Sequence, residues 1–186
     1  VGNGIGRQPQ PGPQGEKGPE LDFLLASVEQ AHELGARRFY FTGGEPFARP
    51  DLFELMRFVT EDKDSELVVM TNATLLTGDR LEKLKPLRRD KLKFQVSLDG
   101  ATAPANDAIR GVGVFEKASA GLAALAKLGF ETSLTALVTK SNLKDLEALP
   151  ELGERLGAKS LHLMWANKRG RIVENGADPF PANAEL

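Results

Sequence analysis

The sequence predicts an α/β protein built on a parallel β-sheet, and three observations carry that prediction. Between Leu21 and Met164, apolar residues alternate five times between helical spacing and short strand-like runs. The connections are short and are punctuated by glycine and proline. The composition, 41% hydrophobic and 27% charged over 186 residues, is that of a globular chain with a sizeable core. Alternation of this kind implies right-handed βαβ crossovers and a sheet covered by helices. Open doubly wound sheets and closed or partial barrels satisfy it equally.

Each element has its own signal. Leu21, Leu24, Leu25, Val28, Ala31 and Leu34 recur at helical spacing, and Gly35 offers a stop. Residues 38–42 read as a short aromatic strand. A second helix is expected over residues 50–61, with Leu52, Phe53, Leu55, Met56 and Val59 inward. Residues 67–71 form a continuous apolar run, the pattern of a strand buried on both faces. Residues 77–88 are amphipathic through Leu81, Leu84 and Leu87, and residues 91–98 make a third strand. A glycine-containing loop then leads to a helix over 115–128, which ends at Gly129. A fourth strand (130–138), a fifth helix (142–156) and a fifth strand (160–164) complete the pattern. His162-Leu163-Met164-Trp165 is read as core packing in a buried strand.

Residues 1–19 are rich in Gly, Pro and Gln, contain three Gly-X-Y triplets and lack core residues. They are expected to form a mobile segment, far too short for a triple helix. Residues 20–171 are expected to form the core, and 172–186 a tail or the start of another domain. The run Lys168-Arg169-Gly170-Arg171 is read as a solvated loop. The formal net charge of -2 argues against a nucleic-acid partner. No apolar run approaches the length of a membrane span and no signal peptide is visible, so a cytoplasmic location is expected. Asn72-Ala73-Thr74 matches a glycosylation sequon, read as chance in that setting. Cysteine is absent, which removes disulfides, thiolate nucleophiles and Cys-ligated clusters from the chemistry of these residues.

In such folds, functional groups gather where strands end. The first strand runs into Thr42-Gly43-Gly44-Glu45-Pro46. Paired glycines let a ligand approach the backbone, Glu45 suits an ammonium group, and Pro46 stiffens the exit. The second strand ends at Thr71-Asn72, where Asn72 either bonds a ligand or satisfies its own turn. The third ends in Ser97-Leu98-Asp99-Gly100, whose alternation sets Ser97 and Asp99 on one face. Arg110, before Gly111, could grip a carboxylate as a planar fork or lie solvated on the surface. Together these groups suit a ligand that combines an amino acid with a sugar.

Phe41-Thr42-Gly43-Gly44-Glu45-Pro46, Thr71-Asn72-Ala73-Thr74-Leu75-Leu76, Val96-Ser97-Leu98-Asp99-Gly100 and Ile109-Arg110-Gly111 occur in that order with natural spacing. Over roughly residues 37–171 the chain resembles a radical S-adenosylmethionine (radical SAM) enzyme. The likeness is to the peptide- and cofactor-maturing branch, which often carries a Cys-rich SPASM extension. The resemblance implies a partial parallel (β/α) barrel of six strands, of which the first is missing from the five read here. It also implies SAM as cofactor, with Gly43, Gly44, Glu45 and Pro46 at its amino group and Ser97 and Asp99 near its ribose and methionyl groups. Arg110 would meet the SAM carboxylate, backbone near Val138 and Leu163 would flank adenine, and Asn72 would mark the recurrent Thr-Asn turn. The implied partner is a peptide or small-molecule precursor.

Such enzymes hold a [4Fe–4S] cluster on a Cys-x3-Cys-x2-Cys loop and use it to cleave SAM to a 5′-deoxyadenosyl radical. This sequence contains no such loop. The leading expectation is therefore an N-terminally incomplete radical SAM core, inactive by itself and self-associating through an uncovered sheet edge. A second expectation is a cluster-free binding or scaffold module. A third, outside the family, is a (β/α) enzyme that uses Glu45 and Asp99 as an acid/base pair.

Overall fold

A computed structural model describes residues 18–165. The β-branched and aromatic runs form five strands: β1 (Arg38–Phe41), β2 (Glu66–Thr71), β3 (Leu92–Ser97), β4 (Glu131–Val138) and β5 (Ser160–Trp165). All pair in parallel, in the order β1-β2-β3-β4-β5. A doubly wound sheet would reverse its strand order partway and place helices on both faces. Here every crossover steps in the same direction, so the helices fall on one face and the other is left bare.

That bare face curls. It bears a groove of about 140 Å³ lined by Tyr40, Val68, Gln95, Ser133 and His162, one residue from each strand. In a flat sheet β1 and β5 would lie roughly 19 Å apart at ~4.8 Å per strand, too far to line one groove of this size. The sheet is thus a partial barrel wrapped around its helix-free side.

The core lies under the helices. Leu67 and Val69 of β2, Phe94 and Val96 of β3, and Leu134 and Ala136 of β4 are fully buried there. They pack with Leu52 and Met56 of α2 (Leu52–Arg57) and with Leu122 and Leu125 of α5 (Val114–Lys127). Phe94 stacks on Phe47 with ring centroids 6.2 Å apart and meets the edge of Phe130 at 5.3 Å. α1 (Leu21–Glu33) is held more lightly, with Val28 buried but Phe23 and Leu34 exposed.

The expected and observed elements differ in informative places. β2 is covered on one face only: Leu67, Val69 and Thr71 are buried, while Val68 and Met70 are half-buried on the bare side. β5 is an edge strand, and Leu163, Met164 and Trp165 are 53%, 47% and 54% exposed, so the reading of 162–165 as core packing is corrected. The second helix breaks into α2 and a π-helical turn over Phe58–Asp62. α3 covers only Asp79–Leu84; Lys85 is still helical, but Pro86 has no N–H with which to continue the ladder. α6 (Leu149–Leu156) is preceded by a 3-10 turn, Leu143–Ala148.

The expected glycine loop before residue 115 contains α4, Ala103–Arg110. Thr102 caps it by accepting from Ala105 N–H, and Pro104 occupies its first turn, two signals readable in the sequence. The expectations for the mobile segment and for Lys168–Arg171 fall on residues 1–17 and 166–186, outside the described part. None of the described helices is long and apolar enough to cross a membrane.

One contact locks α5 to the end of β2. A Cβ built on Gly121 would lie 2.5 Å from the Ala73 carbonyl oxygen, so helix backbone presses directly on the turn. Gly121→Ala is expected to destabilise the fold by about 1–3 kcal/mol, the usual cost of overpacking. Denaturant titration checks this, and an unchanged midpoint would refute the contact.

Candidate functional site

The carboxyl ends of all the strands share one rim, since parallel pairing sets Phe41 beside Val69, Thr71 beside Val96 and Ser97 beside Thr135. After β1 the chain enters Thr42-Gly43-Gly44-Glu45, then a short 3-10 turn over Pro46–Ala48. Gly43 adopts φ +141°, a region that disfavours side chains, and a Cβ at Gly43 or Gly44 would meet nothing within 4 Å. Both glycines are exposed, with open space where a side chain would stand. Pro46 is buried beneath them.

Glu45 points inward. One carboxylate oxygen accepts from Thr71 Oγ1 at 2.6 Å and from Phe47 N–H at 3.1 Å; the other accepts from Asn72 N–H at 2.8 Å. The side chain thus fastens the Gly-Gly loop to the end of β2. Among the described residues no cation pairs with it. Asn72 Oδ1 accepts from Thr74 N–H at 2.9 Å and from Thr74 Oγ1 at 2.6 Å, satisfying its own turn. Its Nδ2 makes no hydrogen bond within the described residues.

Ser97 closes β3, half-buried on the bare face beside Gln95, and its hydroxyl has no partner among the described residues. Asp99, two residues on, is only 2% exposed. Its Oδ1 accepts from Leu137 N–H at 2.7 Å, and its Oδ2 lies 2.7 Å from Arg110 Nε. The Arg110 N–H does not aim along that line, so this is a charge contact without a directed hydrogen bond. Arg110 occupies the last turn of α4, not a free loop, and serves Asp99.

The rim thus brings together the loop around Gly43–Glu45, Asn72 and Ser97, while Asp99 and Arg110 neutralise each other just beneath. Glu45 and Asp99 are engaged with different partners, the first with backbone and Thr71 at the end of β2 and the second with Leu137 and Arg110.

Sequence reasoning missed the supports of this arrangement. Asn106 is buried, and its Oδ1 accepts from Asp99 N–H at 3.0 Å. Asn142 Nδ2 donates to Asp99 O at 2.6 Å, and Asp145 accepts from Ala101 N–H. Asp107 accepts from Gly113 N–H at 2.6 Å and Phe115 N–H at 2.8 Å, capping α5 from a distance. Burial would raise the Asp107 pKa, but those two amides, Asn106 and Val114 outweigh it and hold the carboxyl below its ordinary range. Their short spacing in sequence carries no motif that could have flagged them.

The family model of the Radical SAM superfamily matches residues 9–152. The chain belongs to the Radical SAM superfamily. It is 37% identical over 159 residues to the AdoMet-dependent heme synthase of Methanosarcina barkeri (strain Fusaro / DSM 804), covering 85% of this chain and 44% of that protein. It is 36% identical over 140 residues to mycofactocin maturase MftC of Mycobacterium tuberculosis (strain CDC 1551 / Oshkosh), covering 75% of this chain and 35% of the relative. Its fold matches that of Streptococcus suis SuiB bound to precursor peptide SuiA, with a TM-score of 0.72 at 17% identity over 82% of this chain and 34% of SuiB. The chain spans less than half the length of these relatives.

The Radical SAM superfamily binds SAM and a [4Fe–4S] cluster. This sequence has no cysteine, and no group of three His, Asp or Glu among the described residues could hold a metal ion. These residues therefore do not fit the cluster. Anaerobic incubation of the 186-residue chain with iron and sulfide is expected to yield no [4Fe–4S] absorption band; stoichiometric cluster would contradict this.

Asp107→Ala is expected to cost about 1 kcal/mol near neutral pH through loss of the α5 cap. The folded-state pKa is lowered, so the charged form stabilises the fold above the unfolded pKa and that contribution is lost as pH falls through the folded value. The stability gap between variant and parent should therefore shrink in acid. A gap that widens in acid would refute the assignment.

Proposed function

We propose that this chain is the SAM-binding core of a radical SAM enzyme that modifies a peptide, protein or cofactor precursor. The observation that carries this reading is the rim itself. The exposed Gly43–Gly44 backbone, a Glu45 carboxylate with no cation partner among the described residues and a Ser97 hydroxyl with no partner among them all lie at the strand ends of a Radical SAM fold. SAM is a sulfonium with an ammonium group, and an uncompensated carboxylate at close range favours such a ligand.

Gly43 and Gly44 would hold the amino group through their peptide groups, with Glu45 fixing the loop and supplying the negative potential. Asn72 Nδ2 and Ser97 offer hydrogen bonds to the polar face of the ligand, and Pro46 limits loop motion. Asp99 takes part through the Ser97–Gly100 backbone that it orders. Arg110, already against Asp99, leaves the ligand carboxylate to other donors. Bound SAM would supply a 5′-deoxyadenosyl group for radical chemistry, and the electron that breaks its C–S bond would come from a [4Fe–4S] cluster whose thiolate ligands these residues lack.

The likeness to a maturase and to a peptide-bound enzyme supports a peptide precursor as substrate, and the heme synthase likeness supports a cofactor precursor. The open edge of β1, where Tyr40 is 57% exposed, supports pairing with a further strand or a second copy. The absence of cysteine supports a second reading, a cluster-free binding module.

Titrating SAM into the isotope-labelled chain and following amide shifts tests both readings. The amides of Gly43, Gly44 and Ser97 are expected to move, and Ser97→Ala to weaken binding about five-fold, the worth of one hydrogen bond. Weak binding favours the core of a cluster enzyme, tight binding the module. Shifts confined to the opposite end of the sheet, near Asp64 and Asp90, would overturn the SAM reading.

A further inference from the structure

We propose that Asn142 is a positioning residue for the ligand rim, a role that rests on the SAM reading above. Asn142 is completely buried and lies just beyond the loop that follows β4. Its Nδ2 donates to Asp99 O at 2.6 Å and to Leu137 O at 2.7 Å. Its Oδ1 accepts from Thr139 N–H at 2.8 Å and from Thr139 Oγ1 at 2.9 Å. An asparagine amide offers two N–H donors and two acceptor lone pairs, and here all are in use.

The location gives this network its meaning. The backbone ladder between β3 and β4 ends where Leu98 N–H donates to Thr135 O. Beyond that point side chains replace it. The Asp99 carboxylate takes Leu137 N–H, and Asn142 joins Leu137 O to Asp99 O. The spacing between Ser97 on one strand end and the Leu137–Val138 backbone on the next is therefore set by the Asn142 amide together with the Asp99 carboxylate. A ligand that touches both strand ends reads that spacing, so Asn142 governs affinity without touching the ligand.

The isosteric variant Asn142→Asp separates positioning from bulk stability. Its carboxylate would place oxygen against two carbonyls, and burial would raise its pKa. Once protonated, it regains one of the two donations. The charged groups around it are Asp99 with Arg110, and Asp145; the two carboxylates would raise the pKa of the new carboxyl further, and Arg110, already matched to Asp99, would oppose them.

SAM affinity is measured by amide-shift titration of the 186-residue chain and the variant, alongside melting temperature. The variant is expected to bind SAM roughly ten-fold more weakly near pH 8, as befits buried groups left unsatisfied, and to recover toward the parent near pH 6. A lowered melting temperature with parental affinity at both pH values overturns the proposal. Should Asn142→Asp not fold, Thr139→Val removes one donor to Oδ1. It is expected to weaken SAM binding a few-fold, and equal affinity overturns the proposal in that variant. Failure of the unsubstituted chain to bind SAM overturns the SAM reading and this inference with it, an outcome distinct from equal binding by both proteins.

Discussion

Because every crossover in this chain steps the same way along the sheet, helices accumulate on one face and nothing folds back over the other. Most of what is distinctive here follows from that directional constraint. Leu67, Val69, Phe94, Val96 and Leu134 can be wholly apolar because they meet helices. Lys93, Gln95 and Ser133, on alternate positions of the same strands, can be polar because they line a curled concave wall. Successive strand ends are brought side by side, which lets loops distant in sequence build one surface.

That surface is organised by carboxylates with different duties. Glu45 ties the loop after β1 to the end of β2 and pairs with no cation among the described residues. Asp99, more deeply buried, is matched by Arg110 and ties the end of β3 to β4. Asp107 does neither, and instead fixes the start of α5. The exposed glycines Gly43 and Gly44 are thus held in place by the partly buried Glu45 that follows them.

Much of this was legible in the sequence, and the reasons are physical. Strand positions and the rim residues Gly43, Gly44, Glu45, Asn72 and Ser97 follow from periodicity and from the rule that loops at strand ends carry function. Burial of β2 and β5 was misread, because an apolar run looks the same whether it faces helices or an open lumen. α4 was missed because Gly100 and Gly111 bracket a short helix whose Thr102 cap is a weak local signal. The partnership of Asp99 with Arg110 was hidden because it joins a strand end to a helix end. Asn106, Asn142 and Asp145 were invisible for the same reason: a fully bonded buried amide and a solvated one share a letter.

The matched charges of Asp99 and Arg110 have an electrostatic consequence. With that couple internally balanced, Asp99 adds little to the field that a charged molecule meets at the strand ends, and added electrolyte screens so buried a pair only weakly. A change that stripped the guanidinium away would leave a carboxylate only 2% exposed without its counter-charge. The arginine thus keeps a sunken anion tolerable beneath a surface it does not itself form.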